Sequence, residues 1–375
     1  MAGWGSGLAR PEPTVIRQTD LFDRTLTGYT VAEYGNAHNP HELMSISRIG
    51  VIGAGAWGTA MAQALRAAGS DVVLWAFEEE VVRSINQAHE NTKFLPGIAL
   101  DPLIRATYIL NEAAQSDAVL LVTPAQHLRR VSGELAGALP GGTPVVICAK
   151  GIEQGTAALL SEVAAETLPH HPLAILSGPT FAAEVAQGRP TAVTLATSDK
   201  KAGEDLVAAI GSARFRPYLT DDVVGAEIGG AVKNVIAIAC GIAHGRGFGD
   251  NTRAALITRG LAEITRLGLA KGGRLETMMG LAGLGDLTLT CTSTQSRNYS
   301  LGEALGKGET LQDVLGARVS VAEGVFSAEA VSALALRNNV EMPISNGVDA
   351  ILKGTATVDQ AIEALMSRPF RSEVG

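Results

Sequence analysis

One lysine stands in a stretch that is otherwise almost wholly apolar: Gly229-Gly230-Ala231-Val232-Lys233-Asn234-Val235-Ile236-Ala237. A lysine taken out of water loses part of its preference for the charged form, which suits it to exchange a proton with an alkoxide or carbonyl near neutral pH. In a helix, Gly229, Gly230 and Ala237 share the face of Lys233, so another group can approach the helix closely there. A lysine that merely snorkels from a helix edge is the competing reading. Two further segments offer anion contacts. Ala149-Lys150-Gly151 follows an apolar run, where a surface lysine is the plain alternative. Ser177-Gly178-Pro179-Thr180-Phe181 follows the next run and opens a helix, offering backbone N–H groups and a hydroxyl. Further along, Leu284-Gly285-Asp286-Leu287 sets a lone carboxylate among apolar residues, and Thr292-Ser293-Thr294-Gln295-Ser296-Arg297-Asn298 supplies hydroxyls, amides and one guanidinium. That last run suits a phosphate cradle, unless it is simply a polar turn.

The elements that must position these groups begin with a glycine loop. Gly53-x-Gly55-x-x-Gly58 lies between the apolar run Ile49–Ile52 and a helical stretch through Ala68, with a second apolar run, Val72–Trp75, soon after. In that setting the first glycine permits a tight turn and the second a close approach of backbone N–H groups to a pyrophosphate. The third lets helix and strand pack. An ordinary glycine-rich turn is the alternative. Ala76-Phe77-Glu78 ends the second run. An acidic residue about 20 positions after the loop favours a free ribose 2′-hydroxyl, hence NAD, whereas an arginine favours NADP. Glu78 equally fits a solvated position on the next helix, and the cofactor stays open as NAD or NADP. A proton-transferring lysine, a carboxylate and an arginine-centred anion site beside a nicotinamide describe a dehydrogenase for a small phosphorylated alcohol or ketone.

Composition agrees. The chain has 375 residues, 46% hydrophobic and 18% charged, with a net charge of −8 and only 4% aromatic residues. A disordered chain is excluded, and a general nucleic-acid binder, normally basic, is disfavoured. No uninterrupted apolar run reaches the roughly 18 residues a bilayer span needs. Cys148, Cys240 and Cys291 are widely spaced and show no metal-ligand spacing, as expected for reduced core thiols of a cytoplasmic protein. Residues 1–47 show no sustained period and no secretory h-region, so they read as an extension or linker, poorly ordered, and Met44 is an alternative start. From Arg48 to about 220, continuous apolar runs at 118–122, 144–148, 173–176 and 192–195 alternate with helical segments. That predicts an α/β domain of Rossmann type with a parallel sheet, over 48–220. Beyond Asp221 only helical patterns recur, over 223–244, 251–267, 311–315, 328–337 and 358–366. A glycine-rich turn falls at 281–286, and glycines at 268, 272 and 273 are placed at helix ends. An all-α substrate domain over 221–375 is expected.

With these residues assembled, the chain resembles the bacterial NAD(P)-dependent sn-glycerol-3-phosphate dehydrogenases from Ile49 to about Leu365. The resemblance rests on ordered motifs. They are Val51–Thr59 with its glycine loop, Asn91-Thr92-Lys93-Phe94-Leu95-Pro96-Gly97-Ile98, Lys150-Gly151, Ser177–Ala182, Gly229–Val235, Gly283–Leu287, Thr290-Cys291-Thr292, Ser296-Arg297-Asn298 and Val321-Ala322-Glu323-Gly324. It implies reversible reduction of dihydroxyacetone phosphate to sn-glycerol 3-phosphate, a backbone for phospholipid synthesis. Lys233 is then the proton donor and acceptor at the C2 oxygen. Lys150, Gly178, Thr180, Asn234, Asp286, Ser296, Arg297 and Asn298 form the substrate shell, with Asp286 orienting the lysine. Gly53, Gly55, Ala56, Trp57, Gly58, Phe77, Lys150, Ala182, Arg297, Val321 and Glu323 fall at dinucleotide-contact positions. A homodimer without membrane insertion is the family's expectation. Two departures stand out: Phe77 replaces a frequent His or Arg, and Ala56 a common Ser. A dehydrogenase for 2- or 3-hydroxy acids is the alternative enzyme, and would need a carboxylate site in place of the phosphate cradle. A non-catalytic dinucleotide sensor would be expected to have lost Lys233, Lys150, Asp286 or Arg297, all of which are present.

Overall fold

The structure, a computed structural model, describes residues 46–316 and 322–370. The expected extension and the alternative start at Met44 therefore lie almost wholly outside the described residues. Ser47 itself is part of the fold: its backbone N–H and hydroxyl, with the Arg48 N–H, all donate to the Asp117 carboxylate.

The apolar runs form one sheet among the described residues. Its strands are β1 (Arg48–Ile52), β2 (Asp71–Trp75), β3 (Arg105–Thr107), β4 (Ala118–Leu121), β5 (Val145–Ile147), β6 (Leu173–Ser177), β7 (Thr191–Ala196) and β8 (Phe215–Thr220). They lie in the order 3-2-1-4-5-6-7-8. Alternate residues serve opposite faces. Ile49, Val51 and Leu120 pack with Met61 and Leu65 of helix α1 (Ala56–Ala68) on one side. On the other, Ile52, Val119, Leu121 and Ile147 pack with Leu128, Val131 and Leu135. Burial on both faces is why these strands read as unbroken Val, Ile and Leu runs.

The expectation of a parallel sheet needs one correction. β1 to β6 are parallel, but β7 runs antiparallel to β6, and β8 is parallel to β7. The helix between β6 and β7, Ala182–Ala186, has 5 residues. At about 1.5 Å per residue it is too short to carry the chain back along a strand of about 17 Å, so the chain reverses instead.

After Thr220 the described residues form helices only. The first and longest, α2 (Val223–Gly245), is long and apolar enough to cross a membrane by length and composition, yet 83% of its most apolar window is buried inside the fold. It is the core around which α3 (Asp250–Ala270), α4 (Asp286–Thr292), α5 (Arg297–Gly306), α6 (Glu323–Arg337) and α7 (Pro343–Leu352) pack. Three local expectations change. Gly268 does not end a helix but lies inside α3, where a Cβ would meet the Met278 methyl at 2.1 Å. The glycine-rich segment at 281–285 is one π-helical turn that runs directly into α4. The polar run at 296–298 is the start of α5, with the Ser296 hydroxyl accepting from the Tyr299 N–H at 3.2 Å.

Candidate active site

At the carboxyl end of β1 the chain turns through Gly53, whose φ of +119° is open to glycine and costly for other residues. A Cβ at Gly58 would lie 1.8 Å from the Gly53 carbonyl oxygen, so only glycine lets α1 sit this close to the strand. Gly55, the N-cap of α1, has nothing within 4 Å of its Cβ position; the helix start has no side-chain cap and no acid in its first turn. The result is an open cradle of backbone N–H groups at a positive helix end, which suits a pyrophosphate. It opens where β1 lies between β2 and β4, the switch point of a doubly wound sheet. Buried polar atoms without partners include Trp57 Nε1, Thr123 Oγ1, Ser177 Oγ, Glu323 Oε2 and Ser327 Oγ. Thr123 borders Gly53, and Glu323 and Ser327 border Gly151. Buried polar groups are normally satisfied, and a polar ligand along these strand ends would satisfy them. The residues present fit a nicotinamide dinucleotide.

The lysine predicted from its apolar surroundings is buried, and its environment explains the helix around it. Lys233 Nζ donates to Asp286 Oδ1 at 2.5 Å and to Thr290 Oγ1 at 2.9 Å. The other oxygen, Oδ2, accepts from Lys150 Nζ at 2.7 Å, and Lys150 also donates to the Gly178 carbonyl at 2.9 Å. Asp286 is fully buried and bridges the two ammonium groups, leaving the trio with one net positive charge. Both glycines before Lys233 serve this cluster. At Gly229 a Cβ would meet the Ala282 carbonyl oxygen at 2.4 Å, in the turn that delivers Asp286. At Gly230 it would meet Ser177 Oγ at 2.8 Å and the Lys150 stem at 3.4 Å. Burial, with help from the Lys150 charge, lowers the Lys233 pKa to about 8 against the opposing pull of Asp286.

Around the trio, Asn298 joins three helices: its Nδ2 donates to Asn234 Oδ1 at 2.9 Å and its Oδ1 accepts from the Gly324 N–H at 2.9 Å. Thr180 Oγ1 reaches the Gly178 carbonyl at 3.4 Å. Arg297 is exposed at the start of α5, and its charge opposes the burial that pushes the Glu323 carboxyl up to about 6. Ala182 begins the short helix after β6 and packs against the same core as Met61 and Leu65. Phe77 is 74% exposed at the end of β2. Val321 lies outside the described residues. The three cysteines are buried, and burial holds the thiols of Cys148 and Cys291 above their ordinary range.

Sequence reasoning missed three contributors. Thr290 appeared only inside a motif, although it follows Asp286 by one helical turn. Asn91 is fully buried; its Nδ2 donates to the Ala54 carbonyl and to Thr59 Oγ1, both at 2.8 Å, and its Oδ1 accepts from the Phe94 N–H. It thereby braces the glycine loop from behind. Glu227, buried in α2, accepts from the backbone N–H and the hydroxyl of Ser161, capping a helix of the sheet region. Burial raises its pKa to about 7. A lone acid in an apolar helix was its only sequence signal.

The chain matches the NAD-dependent glycerol-3-phosphate dehydrogenase N-terminus over residues 48–203 and the corresponding C-terminus over residues 222–363. A Parvibaculum lavamentivorans protein named as an NAD(P)+ glycerol-3-phosphate dehydrogenase is 61% identical over 330 residues, covering 88% of this chain and 99% of that one. A Rhodospirillum rubrum protein of the same name is 62% identical over 331 residues, covering 88% and 95%. The crystal structure of a Coxiella burnetii glycerol-3-phosphate dehydrogenase superposes with a TM-score of 0.83 at 39% identity, over 86% of this chain and 99% of that one. With a glycine cradle at the head of one helix and a lysine–carboxylate–lysine trio beside another, this chain belongs to the NAD(P)-dependent glycerol-3-phosphate dehydrogenase family.

Proposed function

We propose that the chain interconverts dihydroxyacetone phosphate and sn-glycerol 3-phosphate, with Lys233 moving the proton at the C2 oxygen. The observation that carries this reading is the donor count of the buried trio. A lysine ammonium has three N–H groups. Lys233 commits two, to Asp286 and Thr290, and keeps one; Lys150 commits two, to Gly178 and Asp286, and keeps one. Two N–H donors on a net positive centre would polarise a ketone oxygen and stabilise the alkoxide that develops there. Protonated Lys233 then gives its proton to that oxygen, and neutral Lys233 takes it back in the reverse reaction. Asp286 fixes both ammonium groups without being consumed.

Gly53, Gly55, Ala56, Trp57 and Gly58 would hold the pyrophosphate, with Phe77, Ala182, Val321 and Glu323 further along the dinucleotide. Bound there, the reduced nicotinamide would supply a hydride, one proton with two electrons, to substrate C2. Arg297, with Ser296 and the N-terminal turn of α5, would take the substrate phosphate, and Asn298 would keep that turn against Asn234. Residues 48–220 then serve as the dinucleotide half and 221–375 as the substrate half, and the enzyme works as a cytoplasmic homodimer supplying glycerophospholipid synthesis. The test is oxidation of NADH and NADPH by the purified chain with dihydroxyacetone phosphate, against unphosphorylated dihydroxyacetone. Turnover only with the phosphate ester is expected. Turnover with a 2-keto acid instead would overturn the reading in favour of a hydroxy-acid dehydrogenase.

A further inference from the structure

The glycine loop offers its ligand backbone N–H groups, and each N–H points where its peptide plane points. In a trans peptide the C=O and the N–H lie on opposite sides of the bond, so fixing one aims the other. No peptide bond of the described residues is cis. The Ala54–Gly55 peptide would turn easily by itself, because Gly55 accepts a wide range of φ. Its carbonyl is nevertheless held from a distant segment. Asn91 Nδ2 donates to the Ala54 carbonyl and to Thr59 Oγ1, both at 2.8 Å. Asn91 and Thr59 are fully buried, so this carbonyl faces the interior. The Gly55 N–H, on the other edge of the same plane, then faces away from the interior, and the Gly55 Cβ position meets nothing within 4 Å.

Asn91 holds the plane in one sense only. Its Oδ1 accepts from the Phe94 N–H at 3.0 Å, and its backbone carbonyl accepts from the Leu95 N–H at 2.9 Å, closing a tight turn. Both amide hydrogens and the amide oxygen are thereby engaged. Turning the amide over would set Oδ1 against the Ala54 carbonyl and Nδ2 against the Phe94 N–H. Both contacts would be repulsive, and both would leave buried polar groups unsatisfied.

We infer that Asn91 is a positioning residue for the dinucleotide: by holding the Ala54 carbonyl inward, it aims the Gly55 N–H at the pyrophosphate. This rests on the dinucleotide half of the proposed function and deepens it. An N–H aimed in advance spares the cost of ordering the loop as the anion arrives, and a hydrogen bond to a charged oxygen is among the stronger kinds.

The test is the NADH dissociation constant, read from nicotinamide fluorescence on the full chain without substrate, beside the unfolding free energy of the same variants. Asn91→Leu keeps the shape of the side chain and removes its donors. Asn91→Ala is the smaller intrusion, and serves if the leucine variant does not fold. Each is expected to raise the NADH dissociation constant about tenfold, the scale of one hydrogen bond to a charged group. Ser345→Ala, which strips a bond from buried Glu263 in the helical region, measures general loosening and should leave NADH affinity within about twofold. Affinity within about twofold of wild type in either folded Asn91 variant would overturn the inference, because Asn91 would then be structural only. An equal loss of affinity in Ser345→Ala would overturn it too, since that marks general destabilisation. Turnover is scored separately: NADH binding without reduction of dihydroxyacetone phosphate counts against the proposed reaction alone, and unchanged NADH affinity in the Asn91 variants against this inference alone.

Discussion

Gly55 of the sheet region and Gly241 of the helical region do opposite work. In the sheet region Gly55 opens space, since its Cβ position meets nothing within 4 Å at the head of α1. In the helical region Gly241 and Gly302 close space. A Cβ at Gly241 of α2 would lie 2.0 Å from the Tyr299 carbonyl oxygen, and one at Gly302 of α5 would lie 2.1 Å from that of Ile238. There two helices meet backbone to backbone, and the contact fixes α5, whose first turn carries Ser296, Arg297 and Asn298, against the helix that carries Lys233. Gly55 leaves room at a helix start, whereas Gly241 and Gly302 set the spacing of two helices. The same residue type therefore predicts different failures at Gly55 and Gly241.

The largest effect is expected where space is closed. Gly241→Ala forces two backbones apart and should lower the unfolding free energy by about 3 kcal/mol, roughly a hundredfold in the folding equilibrium, measured by denaturant titration. Gly55→Ala, at an extended φ of −65° with room for the methyl, should leave that free energy within about 0.5 kcal/mol while weakening NADH about tenfold by fluorescence titration. Equal stability losses in the two variants would erase the distinction between the two glycines. The helical region also has its own pH signature. The proposed mechanism requires Lys233 protonated for ketone reduction, and burial lowers its pKa to about 8. The reduction kcat should therefore hold below about pH 8 and fall about tenfold per unit above it, while alcohol oxidation rises about tenfold per unit up to about pH 8 and levels off above it. Parallel profiles in both directions would separate Lys233 from the proton step.

The two regions also differed in how far they could be read from sequence. Strands covered on both faces announce themselves as apolar runs, and a glycine loop between strand and helix is a local pattern. β3 escaped because its three residues, Arg105-Ala106-Thr107, make no apolar run. β8 escaped because only Phe215 of its 215–220 stretch is buried and the stretch contains Pro217. The reversal of β7 has no local mark, because strand direction is set by the length of the connection. In the helical region Lys233 stood out as one charge among apolar neighbours, and its glycines correctly signalled a close approach. Helix α5 was hidden by Gly302 and Gly306, which look like helix breakers until their partners on α2 are known. The Lys150–Asp286 contact spans 136 positions and leaves no trace in either segment.

The central claim is that the buried lysine of the helical region performs the proton transfer while the sheet region holds the dinucleotide. Its most direct test is Lys233→Ala, with steady-state reduction of dihydroxyacetone phosphate and NADH binding measured on the same protein. Loss of a general acid predicts a kcat lower by at least about a hundredfold, with the NADH dissociation constant unchanged within about twofold. Turnover close to that of the wild type, or NADH affinity lost together with turnover, would contradict the claim.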